Sequence, residues 1–214
     1  MSQQPTIVVR GEAFREVPPE QAVISVSVSA RDRDRETVVS RLLERSAELR
    51  AVLDSESGLE RESGGVQVFP ELKRGSERVV AYSGNVETRV TVTDFEALGA
   101  LLLRLAGLEF ASVSGPWWQL RPGSKAGGDV RREAIADALA RAREYAAAVG
   151  ARIDRLVEIA DEGVGGGPMM MRAEAAGFDM ARDAGGGFEL DPQRQTVQAA
   201  VTVRVTITEP DLSA

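Results

Sequence analysis

The stretch Ala22-Val-Ile-Ser-Val-Ser-Val-Ser29 alternates strictly: Ile24, Val26 and Val28 point one way, and Ser25, Ser27 and Ser29 the other. A period of two residues marks a strand with one buried face. After Arg31-Asp-Arg-Asp-Arg35 the period lengthens. Val38, Val39, Leu42, Leu43, Leu49, Val52 and Leu53 recur at helical spacing among arginines and glutamates, so residues 34–53 are predicted to form an amphipathic helix. The alternating signs of the 31–35 run largely cancel. It therefore reads as a solvated helix start rather than a nucleic-acid patch or a carboxylate metal site.

The same switch of period recurs on both sides. Towards the N-terminus, Thr6-Ile-Val-Val-Arg10 is β-branched and ends at Gly11, and Pro18-Pro19 separates it from the 22–29 strand. So short an interval predicts an antiparallel hairpin. Towards the C-terminus, Gly58 and Gly64-Gly65 are read as bracketing a turn, followed by strands at Val66–Leu72 and Val79–Val92. Pro70 makes the first of these an edge strand or ends it, since proline donates no ladder hydrogen bond. Thr93-Asp-Phe-Glu96 is read as a capping box, opening a helix with Phe95, Leu98, Leu101, Leu102 and Leu105 on one face and Gly107 as its stop.

Leu108–Leu120 is predicted as a strand and Asp129–Val149 as a long helix ending at Gly150. The buried face of that helix is assigned to Ala134, Ala138, Ala142 and Ala146 with Ile135, Tyr145 and Val149. Small residues there let the helix axis lie close to its neighbour. Arg152–Asp161 and Val197–Ile207 complete the strands, and 163–192 is read as a flexible Gly/Met-rich insertion. The element order is ββαββαβαββ. Hairpin-connected strands with helices packed on the sheet indicate an α+β fold, with one domain over 1–214 that divides at most into two lobes.

Composition narrows the chemistry. The 214 residues contain no histidine and no cysteine, which excludes imidazole bases, thiolate nucleophiles, disulfides and metal sites built on nitrogen or sulfur ligands. The formal net charge of −7 argues against nucleic acid as a partner. No apolar run approaches the roughly 20 residues of a membrane helix, and Met1–Pro5 lacks the positive start of a signal peptide. As written, the chain is expected to be cytoplasmic; a leader removed from it would place it in the periplasm or outside the cell.

Several motifs taken in order resemble the SIMPL-domain family, a domain of unknown function that includes periplasmic antigens. Ile7-Val-Val-Arg-Gly11 followed by Pro19-Glu-Gln-Ala22 is similar to the family's opening, with Glu20 where aspartate is more usual. Gly58-Leu59 and the strand after it resemble another of its stretches. Tyr82-Ser-Gly-Asn-Val-Glu-Thr-Arg-Val-Thr-Val92 resembles its central strand, with Ala81 in place of a glycine. Arg132 to Gly150 is similar to its alanine-rich helix, down to the closing glycine. The resemblance implies an α+β fold and self-association, in some relatives into rings or channel-like assemblies. It also implies links to stress response or signalling, and offers no catalytic residues to transfer.

The candidate contact residues are Trp117, Trp118, Met169, Met170 and Met171. Neighbouring strand residues face opposite sides, so one tryptophan is expected in the core and the other on the opposite face, at an interface or under the insertion. The three methionines are an adaptable apolar surface or a disordered tract. Gly163-Val-Gly-Gly-Gly167 lacks the helix and final glycine of a dinucleotide loop, and Gly123–Gly128 lacks the order of a phosphate-binding P-loop. No serine has a histidine or Ser-x-x-Lys partner, and no carboxylate pair is marked out by an apolar setting. The chain is thus expected to be a non-enzymatic homo-oligomer that needs no cofactor or metal. The alternative is a small-ligand or peptide binding module gated by the 163–192 loop, with a carboxylate hydrolase behind both.

Overall fold

The computed structural model describes residues 4–162, 188 and 190–211. The elements follow the order β1 (Thr6–Val17), β2 (Gln21–Asp32), α1 (Arg35–Asp54), β3 (Leu59–Leu72), β4 (Val79–Val92), α2 (Phe95–Ala106), β5 (Ala111–Gln119), α3 (Ala126–Ala148), β6 (Ile153–Asp161) and β7 (Gln195–Ile207). All strand pairs are antiparallel, and the α+β class and element order are those expected. The chain forms two compact units.

One unit comprises described residues 4–17, 122–162 and 194–211. Its sheet has the order β1-β7-β6, and this corrects the expected first hairpin. β1 pairs along its whole length with β7, from Thr6 opposite Thr206 to Val17 opposite Gln195, whereas β2 lies in the other sheet. The physical reason lies between the strands. Pro18-Pro19 has no backbone donors and a restricted φ, so this segment cannot close a tight hairpin turn. β7 offers β1 a long, regularly alternating partner, with Val197, Ala199, Val201, Val203, Val205 and Ile207 all buried.

α3 packs on β1 and β7 through Val130, Ala134, Ala138, Ala142 and Ala146. It comes so close at Gly11 that an added Cβ would lie 2.7 Å from the Ala138 Cβ and also collide with the Ala134 carbonyl oxygen. Tyr145, expected on the buried face, is exposed instead; it lies off the four-residue alanine row that touches the sheet. The helix ends in a Schellman motif, in which Ala151 N–H donates to the Ala146 carbonyl at 2.8 Å and Gly150 N–H to that of Ala147 at 3.0 Å. Gly150 has φ +68°, the left-handed conformation this cap requires.

The other unit comprises described residues 18–121, 188 and 190–193. Its sheet has the order β3-β4-β2-β5, and α1 and α2 cover one face. The core joins Ala22, Ile24, Val26, Val28, Val90 and Val92 to Leu49, Leu53 and the α2 leucines 98, 101, 102 and 105. Each fully buried aliphatic side chain contributes about 1.5–3 kcal/mol. Leu190 packs against the same cluster, and the Phe188 backbone rests on Gly99.

Local expectations are corrected at two places. β3 starts at Leu59, so Gly64-Gly65 lies inside the strand, at a register shift between Ser63 and Val66, and not at a turn. Pro70 sits where expected, on an edge strand. The cap of α2 is Asp94, whose carboxylate accepts from the Glu96 and Ala97 amides at 3.0 and 3.2 Å. Thr93, one residue too early to cap, directs its hydroxyl to the Gly58 carbonyl at 3.5 Å.

The α3–β1 approach makes a specific prediction. Gly11→Ala should overpack the contact and destabilise the protein by about 1–3 kcal/mol, read as a lower denaturant midpoint. The same change at Gly75, where nothing lies within 4 Å but φ is +74°, should cost only the smaller backbone strain.

Candidate functional site

β5 carries both tryptophans, and a bulge decides which way each faces. Ser114 pairs with Ser25, but Trp117 pairs with Val23 and Trp118 with Ala22, so β5 spends one extra residue against β2. The extra residue falls at Gly115-Pro116, and Gly115 takes φ +105°, a conformation open to glycine. Without that residue the alternation continuing from core-facing Val113 would turn Trp117 inward. With it, Trp118 joins the helix-side core and makes an edge-on ring contact with Phe95, centroids 4.9 Å apart. Trp117 turns to the other face and keeps 45% of its surface exposed. The pair is thus divided as expected. Met169, Met170 and Met171 lie outside the described residues.

A second exposed surface belongs to β6. Leu156, Val157 and Ile159 are all exposed, because α3 sits over β1 and β7 and barely reaches this strand. The strand's outer edge pairs with no other among the described residues. The sheet face away from α3 carries ion pairs, Arg10 with Glu12 at 2.8 Å and Glu162 at 3.3 Å, and Arg204 with Glu158 at 3.3 Å, beside exposed Val8 and Phe14.

A third feature is a groove of about 500 Å³ between α1 and the β3–β4 pair. It exists because α1 packs chiefly on β2 and β4. Of the apolar α1 residues expected on one face, Val38, Leu42, Leu49 and Leu53 are buried, while Val39 and Leu43 stay exposed and line the groove. Val66 and Val68 line the opposite wall.

Among the described residues no group of three or more acidic side chains is placed to hold a metal ion. Among the described residues two carboxylates have shifted pKa values, and both shift downwards. Asp34 caps α1, accepting from the Thr37 amide at 2.8 Å, and that hydrogen bond holds it below the ordinary value. Glu71 on β3 receives a two-pronged contact from Arg31 on β2, with Nε 2.9 Å from both carboxylate oxygens and Nη2 2.6 Å from one. The Ser83 hydroxyl on β4 donates to it as well. These hydrogen bonds, Arg31 first, pull its pKa from 4.5 down to about 2. The cluster ties three neighbouring strands together at one end of the sheet. A depressed carboxyl stays ionised, which suits an ion pair and not a general acid.

A family model, SIMPL, described as a protein of unknown function (DUF541), matches residues 7–205. The chain belongs to the SIMPL family. No curated protein matches it. A solved structure from Burkholderia cenocepacia, described provisionally as an amidohydrolase/peptidase, is 13% identical with a TM-score of 0.30, over 59% of this chain and 33% of that one. The SIMPL chain spans about a third of that protein's length, and a likeness this slight bears on neither fold nor activity. No described helix is long and apolar enough to cross a membrane.

The Arg31–Glu71 contact has a definite pH signature. The unfolded carboxyl titrates near 4.5 and the folded one near 2, so its contribution is present above about 4.5 and lost as the pH falls towards 2. Thermal melts across that window should show Glu71→Gln losing less stability on acidification than the wild type. Equal acid slopes would show that the pair does not persist in solution. Both side chains are in contact with solvent, so the effect should be modest and weakened by salt.

Proposed function

We propose that this SIMPL protein is a non-enzymatic subunit that self-assembles, with β6 as the joining edge. The supporting observation is the combination at β6 of an unpaired strand edge with exposed Leu156, Val157 and Ile159. A strand with free backbone donors and acceptors and an apolar surface is a template for another strand. A second copy offers the same edge in antiparallel register, which gives a closed two-fold contact. The stress-response or signalling role implied by the family resemblance fits such a subunit, which would act through its surfaces.

Support for a non-catalytic role comes from chemistry. The sequence has no histidine or cysteine, and both shifted carboxylates move away from the range of a proton donor. A second reading, a binding module whose 163–192 segment closes over a small ligand or peptide, draws its support from the exposed ring of Trp117.

Light scattering on a sizing column should give a defined multimer whose mass holds on dilution. Val157→Lys, which places a charge in the apolar edge, should reduce it to a monomer of unchanged circular dichroism. A wild-type monomer at all concentrations would rule out the assembly reading. Protection of the 163–192 segment from proteolysis by an added ligand would then favour the second.

A further inference from the structure

The groove between α1 and β3–β4 has its own chemistry, independent of either functional reading. α1 and β3 run in opposite directions on either side of it, so its two ends differ in character. Near the start of α1 the walls are Val39 and Leu43 on the helix and Val66 and Val68 on β3. Leu43 and Val66 expose 68% and 69% of their surface there, an unusual exposure for large aliphatic residues facing each other across a cleft. Near the end of α1 the lining is Arg50 and Arg61.

Charge at that end is one-sided. Arg61 is neutralised by Asp54 at 2.6 Å. Arg50 has no ion-pair or hydrogen-bond partner among the described residues. Glu62 and Glu87 also line the groove, but the strand register turns their side chains to the opposite face of the sheet. Glu62 lies opposite Arg89, and Glu87 accepts from the Ser25 hydroxyl at 2.6 Å. One turn before Arg50, the Ser46 hydroxyl is shut off from water and has no hydrogen-bond partner. Residues four apart on a helix share a face, so Ser46 and Arg50 present a donor and a cation side by side. A buried hydroxyl without a partner is costly, and rotation about its single side-chain bond into another staggered rotamer would turn it towards the cleft, where an incoming oxygen satisfies it.

We infer that this groove binds a single-chain anionic amphiphile of the fatty-acid type. The carboxylate pairs with Arg50 and accepts from Ser46, and the hydrocarbon tail runs along Leu43, Val39, Val66 and Val68. The volume of about 500 Å³ falls within the range of small-molecule sites, whose usual form is an apolar cleft with a few placed polar groups. The stretch of α1 from Ser46 back to Val39 is about 10 Å long, enough for a medium-length chain. The tail would cover apolar surface that the fold leaves in water, and the headgroup would supply the one charge the polar end lacks.

Titration calorimetry with decanoate on the full chain tests this, with 1-decanol as the uncharged control. Decanoate should bind saturably, one per chain, and 1-decanol at least about tenfold more weakly, the worth of one charge-assisted hydrogen bond. Arg50→Gln, a surface change that leaves the core intact, should weaken decanoate about tenfold or more and leave 1-decanol unchanged. Arg74→Gln, in the β3–β4 loop away from the groove, should bind as the wild type does. Leu43→Asp should abolish binding of both. Absence of saturable decanoate binding, equal affinities for decanoate and 1-decanol, or equal losses in the Arg50 and Arg74 variants would each overturn the inference. So would a fall in solution mass on Leu43→Asp without decanoate binding, which would make the groove a contact between copies. Because β6 lies outside the groove, a Val157→Lys monomer that still binds decanoate would leave this inference standing.

Discussion

The approach of α3 to β1 at Gly11 is the contact on which one whole unit is organised. No side chain larger than hydrogen fits between β1 and the Ala134–Ala138 step of the helix. That closeness is what lets a helix face made mainly of alanine bury the valines of β7 without leaving a void. β1 presents Gly11 to the helix while paired along its whole length with β7, at the other end of the chain. A contact between residues so far apart in sequence is formed at a high loop-closure cost and repaid by packing. The helix lies where its small residues allow, over β1 and β7, so β6 keeps its apolar side chains in water. The surface proposed for assembly thus follows from the way this unit packs.

In the other unit, single-residue irregularities do comparable work. The extra residue at Gly115-Pro116 reverses the alternation of β5 and thereby chooses Trp118 over Trp117 for the core. The shift at Gly64-Gly65 does the same on β3, so that Val66 and Val68 share a face with Arg61 and Ser63 opposite the core-facing row of β4. Because a strand's period is two, inserting one residue exchanges its faces. Both bulges lie beside the features with functional interest, the tryptophan pair and the groove.

Charge has a matching division of labour. The Arg31–Glu71–Ser83 cluster pairs its members with one another and pins an edge strand that contributes little to the core. Arg50 and Ser46, in contrast, have no side-chain partner among the described residues and lie beside exposed aliphatic side chains. Groups that complete one another within the fold read as structure. Groups that remain incomplete beside an apolar cleft read as the place where something else is accommodated.

Hydrophobic period and turn chemistry are local properties, and they sufficed for the α+β class, the order of ten elements and most of their bounds. β4 spans Val79–Val92 as its alternation indicates, and the α2 leucines are buried as their spacing requires. The order of the family's motifs was legible for the same reason, since they follow the same elements. Strand partnership was not legible. The 6–10 and 22–29 runs are near neighbours in sequence and still belong to different sheets, because pairing depends on which distant strand and helix complete each face. Nor could the sequence say that Val39, Leu43 and Tyr145 would stay exposed, since that depends on where each helix crosses its sheet. It implied that the two tryptophans would part but not which would be buried, because an extra residue in a strand has no signature until its partner is known. Local periodicity determined what each segment is; only tertiary packing decided which surfaces were left over.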